Sequence, residues 1–146
     1  MSQNVETVRQ AFEAFNSEDI EQVVAIAHDD FEAVVPPELS AEPDTYRGHD
    51  GLRRYFRTFQ EAMHEVRFHP EQFWDAGPSV VVVVRLTAKG RQTEIPVEQR
   101  IAQVWSIRDG KAAGVRTYPS LSEALEAVGL AAEVRGETKS PGKNRL

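Results

Sequence analysis

The chain has no cysteine among its 146 residues. That excludes disulfide staples, thiol nucleophiles and cysteine-ligated zinc together, and it fits a reducing cytoplasm. It also lacks an excess of positive charge: 17 lysines and arginines stand against 23 aspartates and glutamates, a formal net charge of −6. Phosphate backbones are bound by clustered basic surfaces, so nucleic acid is not expected as a partner. No long apolar run is present. The five valines Val80–Val84 fall far short of the roughly 20 residues that a spanning helix needs, so no membrane partner is expected either. The start, "MSQNVETVRQAF", has neither a basic nor an apolar leader region, and no export is expected. His28, His49, His64 and His69 include no i,i+4 pair, so no metal site is expected. Glycine-rich phosphate loops, a Gly-x-Ser-x-Gly elbow and internal repeats are missing as well, and nothing calls for a cofactor.

What is present reads as an ordinary globular domain, 40% hydrophobic and 27% charged. The length suffices to bury a core without staples. One domain is expected over residues 1–130, with a mobile polar tail over 131–146. Val5, Val8, Phe12 and Phe15 fall on one helical stripe. Ser17 is the expected N-cap of a second helix carrying Ile20, Val23, Val24 and Ala27 and ending near His28, whose imidazolium would favour a helix C-terminus. Phe31–Val35 reads as a strand stopped by Pro36-Pro37, and a polar loop is expected up to residue 47. After Gly48 a helix should bury Leu52, Tyr55, Phe56, Phe59 and Met63.

Strands dominate the rest. Val66–Trp74 carries Pro70 and should lie at a sheet edge, ahead of a turn at Asp75–Pro78. Val80–Leu86 is apolar on both faces; helices can cover one side, and a partner is expected on the other. In the next strand Val97, Gln99, Ile101, Gln103, Trp105 and Ile107 share a face. Asp109-Gly110 is a hairpin signal. A two-residue loop sets Gln103 opposite Arg116, and an added bulge sets it opposite Thr117. Ser120-x-x-Glu123 is a capping box, Gly129 stands where a left-handed C-cap belongs, and Leu125 and Leu130 are placed to meet.

Two helices, strand, loop, helix and then a four-stranded antiparallel stretch form an order that resembles the SnoaL-like branch of the nuclear transport factor 2-like superfamily. The residues that carry the resemblance are the first helix pair, "YRGHDGLRRYF", "DAGPSVVVVVRLTAKGR", "VEQRIAQVWSIRDGK" and "SLSEALEAVGL", spanning roughly residues 3–130. The resemblance implies an α+β fold in which a curved antiparallel sheet wraps a long helix as a cone, or cystatin-like roll. It also implies an apolar cavity, and a homodimer through the outer sheet face.

Function does not follow from the fold alone. By resemblance the base of ketosteroid isomerases falls at about Val35, and their acidic oxyanion donor near Gln103; neither residue is an acid. The aspartate of SnoaL-like cyclases has no counterpart in Gly114–Ser120. Arg85 could stand for the arginine of limonene-type epoxide hydrolases, but neighbouring aspartates are missing; a structural pair with Glu98 and a pocket contact to an anionic ligand group are its other readings. Glu38 is the carboxylate expected at the pocket mouth, or else a solvated loop residue, with Asp44 and Tyr46 further along. The catalytic candidates are therefore Glu38, Arg85 and Gln103. The expected ligand pocket is Phe15, Tyr46, Phe56, Phe59, Gln99, Gln103, Trp105 and Arg116; bonding to neighbouring side chains or buried water is the other reading of the glutamines. Trp74 and Tyr118 read as core or interface aromatics. Two functions stay open: a cofactor-independent enzyme acting on an apolar, oxygen-bearing metabolite, and a non-catalytic ligand-binding or dimeric interaction module.

Overall fold

A computed structural model describes residues 3–35 and 44–130; Glu38 and the 131–146 tail lie outside the described residues. Helix α1 (Gln3–Asn16) turns Val5, Val8 and Phe12 inward. Its end is fastened by Asn16, whose amide donates to the Phe68 carbonyl at 2.9 Å while its oxygen accepts from Phe68 N–H at 2.8 Å. The second helix, α2 (Ile20–Ala25), is capped by Asp19, which accepts from Gln22 N–H, and not by Ser17. Ser17 instead donates back to the Glu13 carbonyl at 2.9 Å and closes α1, and Glu18 at φ +59° makes the turn between. α2 is thus shorter than predicted, and His28 already belongs to strand β1 (Ala27–Val35).

Residues 44–47 form a short strand, β2 (Asp44–Arg47), where the sequence reads as loop, because they pair antiparallel with Glu32–Val35. Helix α3 (Gly48–Ala62) starts directly above it; a side chain at Gly51 would meet the Tyr46 backbone carbonyl carbon at 2.9 Å. Four strands follow: β3 (Met63–Ala76), β4 (Ser79–Gly90), β5 (Pro96–Arg108) and β6 (Lys111–Tyr118). With β1 and β2 they make a six-stranded, curved and unclosed sheet in the order β2-β1-β6-β5-β4-β3. Pairing is antiparallel except between β1 and β6, which run parallel. β3 is the edge strand that Pro70 demands, bulged between Pro70 and Gln72.

β4 is buried on both faces, as its five valines require. Val80, Val82, Val84 and Leu86 join the main core inside the cone with α1 and α3. Val81 and Val83 face outward, where this chain's own helix α4 (Leu121–Ala127) covers them with Leu121, Ala124 and Leu125. A partner is therefore not needed to explain the two-sided burial. Trp74 and Tyr118 flank this outer cluster. Ser120 caps α4 by accepting from Glu123 N–H, and Leu130 N–H returns to the Leu125 carbonyl at 2.9 Å beyond Gly129. Among the described residues no helix is long and apolar enough to cross a membrane.

Candidate functional site

The β5–β6 hairpin decides what faces inward. Arg108 pairs with Lys111 across a two-residue turn in which Asp109 (φ +55°) and Gly110 (φ +75°) are both left-handed. One residue further in, the register slips, so that Ser106 pairs with Gly114 while Ile107 pairs with Ala112. Turn and bulge occur together, and Gln103 lies opposite Thr117, not Arg116. Gln103, Trp105 and Thr117 are buried on the inner face, whereas Arg116 is exposed on the outer face with its guanidinium 5.9 Å from the Tyr118 ring.

Two spaces follow from this arrangement. At the narrow end Phe12 meets Trp105 edge-on at 5.6 Å and Phe68 at 5.8 Å. Packing there leaves a void of only about 20 Å³, touched by Gln103, Trp105 and Tyr55. At the wide end, between the second half of α3 and the inner sheet face, a cavity of about 420 Å³ stands open. Its apolar wall is Phe59 and Ala62 from α3, Met63, which opens β3 and does not extend the helix as expected, and Leu86, Val97 and Ile101 from β4 and β5, with Val35 at the lip. Tyr46, Tyr55, Gln99 and Thr117 add polar atoms. The volume lies in the range of about 300–1,000 Å³ usual for small-molecule sites.

Polar contacts run between the two spaces. Trp105 Nε1–H donates to Gln103 Oε1 at 3.0 Å, and Gln103 Nε2 donates to Thr117 Oγ1 at 3.2 Å. Tyr55 packs 5.0 Å from the Tyr46 ring and edge-on to Phe59 at 5.5 Å. Its surface is reachable from the cavity, but protein surrounds the ring, and this burial pushes the phenol pKa well above its ordinary value, with the neighbouring Tyr46 adding to the effect. Among the described residues no carboxylate or imidazole lines this cavity, and no three such groups are gathered to hold a metal.

Of the residues expected in the pocket, Tyr46, Phe59 and Gln99 line the cavity. Gln103 and Trp105 lie at the floor. Phe15 touches the same small void, and with Phe56 it borders a separate space of about 90 Å³ between α1, α3 and β3. Arg116 is outside, for the register reason given. Arg85 also points outward: it stands opposite Arg100, and Glu71 bridges the two, 3.6 Å from Arg85 and 2.9 Å from Arg100. Neither the pocket role nor the Glu98 pairing of Arg85 is therefore found; Glu98 pairs across the ladder with Thr87. Tyr55 and Met63 were expected only as a buried helix face, and Thr117 only as one of two registers. The alternation of β5 places Thr117 inside only once the bulge is known, and the bulge has no signal in the sequence.

A curved sheet folded over one helix, with an apolar cavity at its wide end, defines a protein of the NTF2-like, cystatin-like fold. The chain belongs to the SnoaL-like domain family, which matches residues 8–115. Among solved structures it is similar to an NTF2-like protein of unknown function from Burkholderia pseudomallei, 24% identical at a TM-score of 0.74, covering 88% of this chain and 99% of that one. TerC, co-crystallised with polyporic acid, is 23% identical at a TM-score of 0.72 and covers 87% and 98%. A putative SnoaL-like polyketide cyclase from Jannaschia is 17% identical at 0.69, covering 80% and 84%. At these identities the likeness establishes the fold. No curated protein matches the chain.

Proposed function

We propose that this domain binds a small, apolar, oxygen-bearing molecule in the cavity at the wide end of the cone. The observation that carries the reading is the wall itself: apolar side chains from α3, β4 and β5 surround about 420 Å³, with a few hydroxyl and amide groups set among them. Tyr55, its phenol pKa raised by burial, stays protonated near neutral pH and serves as a hydrogen-bonding group rather than as a base. TerC, a protein of the same fold, was co-crystallised with polyporic acid, which supports a small organic molecule as the ligand class.

Conversion of the ligand is the second reading, favoured by the likeness to a putative polyketide cyclase. It needs an acid or base from outside the described residues, and Glu38 is the carboxylate that the sequence offers. Turnover abolished by Glu38→Gln with binding retained would establish it. Dimerisation through the outer sheet face is a separate expectation: α4 takes the apolar part of that face and leaves the Arg85–Glu71–Arg100 strip, so light scattering decides it, a monomer ruling it out. The cytoplasm is the compartment we propose from the sequence.

A thermal-shift screen against apolar ketones, lactones, epoxides and terpenoids tests the binding reading. A ligand present at about 100 times its dissociation constant stabilises the folded state by about 2.7 kcal/mol, a visible rise in Tm. Ala62→Trp, at an exposed position on the cavity rim, should leave the unliganded Tm nearly unchanged and abolish the ligand shift. Hits that survive Ala62→Trp place the ligand elsewhere and defeat the proposal.

A further inference from the structure

Resting on that reading, we infer that the cavity selects ligands bringing a hydrogen-bond acceptor, and that Thr117 makes the selection with a hydroxyl held as a donor by a one-way chain from Trp105 through Gln103. An indole N–H donates and never accepts. Trp105 therefore fixes the Gln103 amide with its oxygen toward the indole, at 3.0 Å; the flipped amide would set donor against donor. The amide nitrogen is left facing Thr117, at 3.2 Å, and donates to Oγ1. Thr117 has then accepted, and its own proton is free. Among the described residues no group accepts that proton.

Gln103 and Thr117 are only 5% and 7% exposed, and water in the open cavity meets the Thr117 hydroxyl only until a ligand displaces it. Thr117 lies on the wall of the 420 Å³ cavity, and a ligand in that cavity is the available acceptor. A donor left unmade in such surroundings is costly, which turns the hydroxyl into a selector and not merely a contact. Ketone, lactone and epoxide oxygens satisfy it. A hydrocarbon leaves it unmade, and an ammonium group, which only donates, cannot accept it either. The chain is polarised in one direction, each bond strengthening the next.

Three probes of one bicyclic skeleton test this: 1-tetralone, tetralin and 1-aminotetralin, titrated by calorimetry. The wild-type chain should take the ketone about tenfold more tightly than the hydrocarbon and bind the amine least. Thr117→Val keeps the shape without the hydroxyl and should erase that preference; Thr117→Ser should restore it. Trp105→Phe frees the amide to turn and should narrow the preference. If Thr117→Val keeps the ketone preference, or the wild-type chain binds ketone and hydrocarbon alike, the acceptor inference is overturned while the cavity reading stands. If none of the three binds, both fall. A second measurement needs no ligand. The chain has two tryptophans, hence two indole N–H resonances. Gln103→Leu should shift the one from Trp105 and leave that of Trp74 in place. An unmoved Trp105 resonance would overturn the donor chain outright.

Discussion

The two ends of the cone are built from the same strands and differ in what covers them. At the narrow end α1 lies across β3 and β4 and reaches Trp105 of β5 through Phe12, and Phe12, Phe68 and Trp105 interlock until about 20 Å³ remains. At the wide end α1 has stopped at Asn16, and α3 alone faces the sheet across about 420 Å³. Small side chains do not explain the difference, for Phe59, Met63, Leu86 and Ile101 all line the larger space. The emptiness comes from where a helix ends. Substitutions at the floor should therefore act on stability, and those at the wall on binding.

The largest effect should come from Trp105→Ala, which opens the packed floor and should cost about 3–5 kcal/mol in urea unfolding. Phe59→Ala, at a half-buried ring on the wall, should cost only about 1 kcal/mol and weaken ligand binding more than it weakens the fold. Equal losses at the two positions would break the comparison. Tyr55, between the two ends, gives a smaller effect confined to alkaline pH. Its folded pKa is raised above the unfolded value of about 10. Between those values the folded state holds a proton that the unfolded state releases, so stability is intact below about pH 10 and falls as pH climbs through the folded value. Tyr55→Phe should flatten that part of the decline, seen by following unfolding from pH 9 upward; an unchanged slope would mean the phenol is well solvated. The smallest effect belongs outside the cone. Glu71→Gln removes the carboxylate between Arg85 and Arg100, all three partly exposed, and should cost less than about 1 kcal/mol, an effect that added salt erases.

Much of this layout was legible from residues alone. The valine run, the edge-strand proline, the Asp109-Gly110 turn and the Ser120 cap each have a local physical cause, and the structure repeats them. The site was harder, because alternation tells which residues share a face and not which face is inside. Arg85 and Gln99 both interrupt apolar strands, yet one faces solvent and the other the cavity. A one-residue bulge put Thr117 inside and Arg116 outside, and nothing in "KAAGVRTY" announces which residue is extra. The cap of α2 went to Asp19 instead of Ser17 because both residue types serve equally and only the turn geometry separates them. That α4 covers Val81 and Val83 depends on where the chain returns, a long-range fact.

The parallel pairing of β1 with β6 has a kinetic consequence. Ala33 sits beside Val115, partners about 80 residues apart along the chain, so closing this pair carries a large loop-entropy cost and comes late in folding. Val35 and Thr117, at the ends of those two strands, both border the cavity. Until the last strand docks, the first strand has an open edge and the binding chamber lacks part of its wall. Ligand capture during refolding should thus lag the burst of helix formation and coincide with the slowest step, making a bound probe a clock for completion of the sheet.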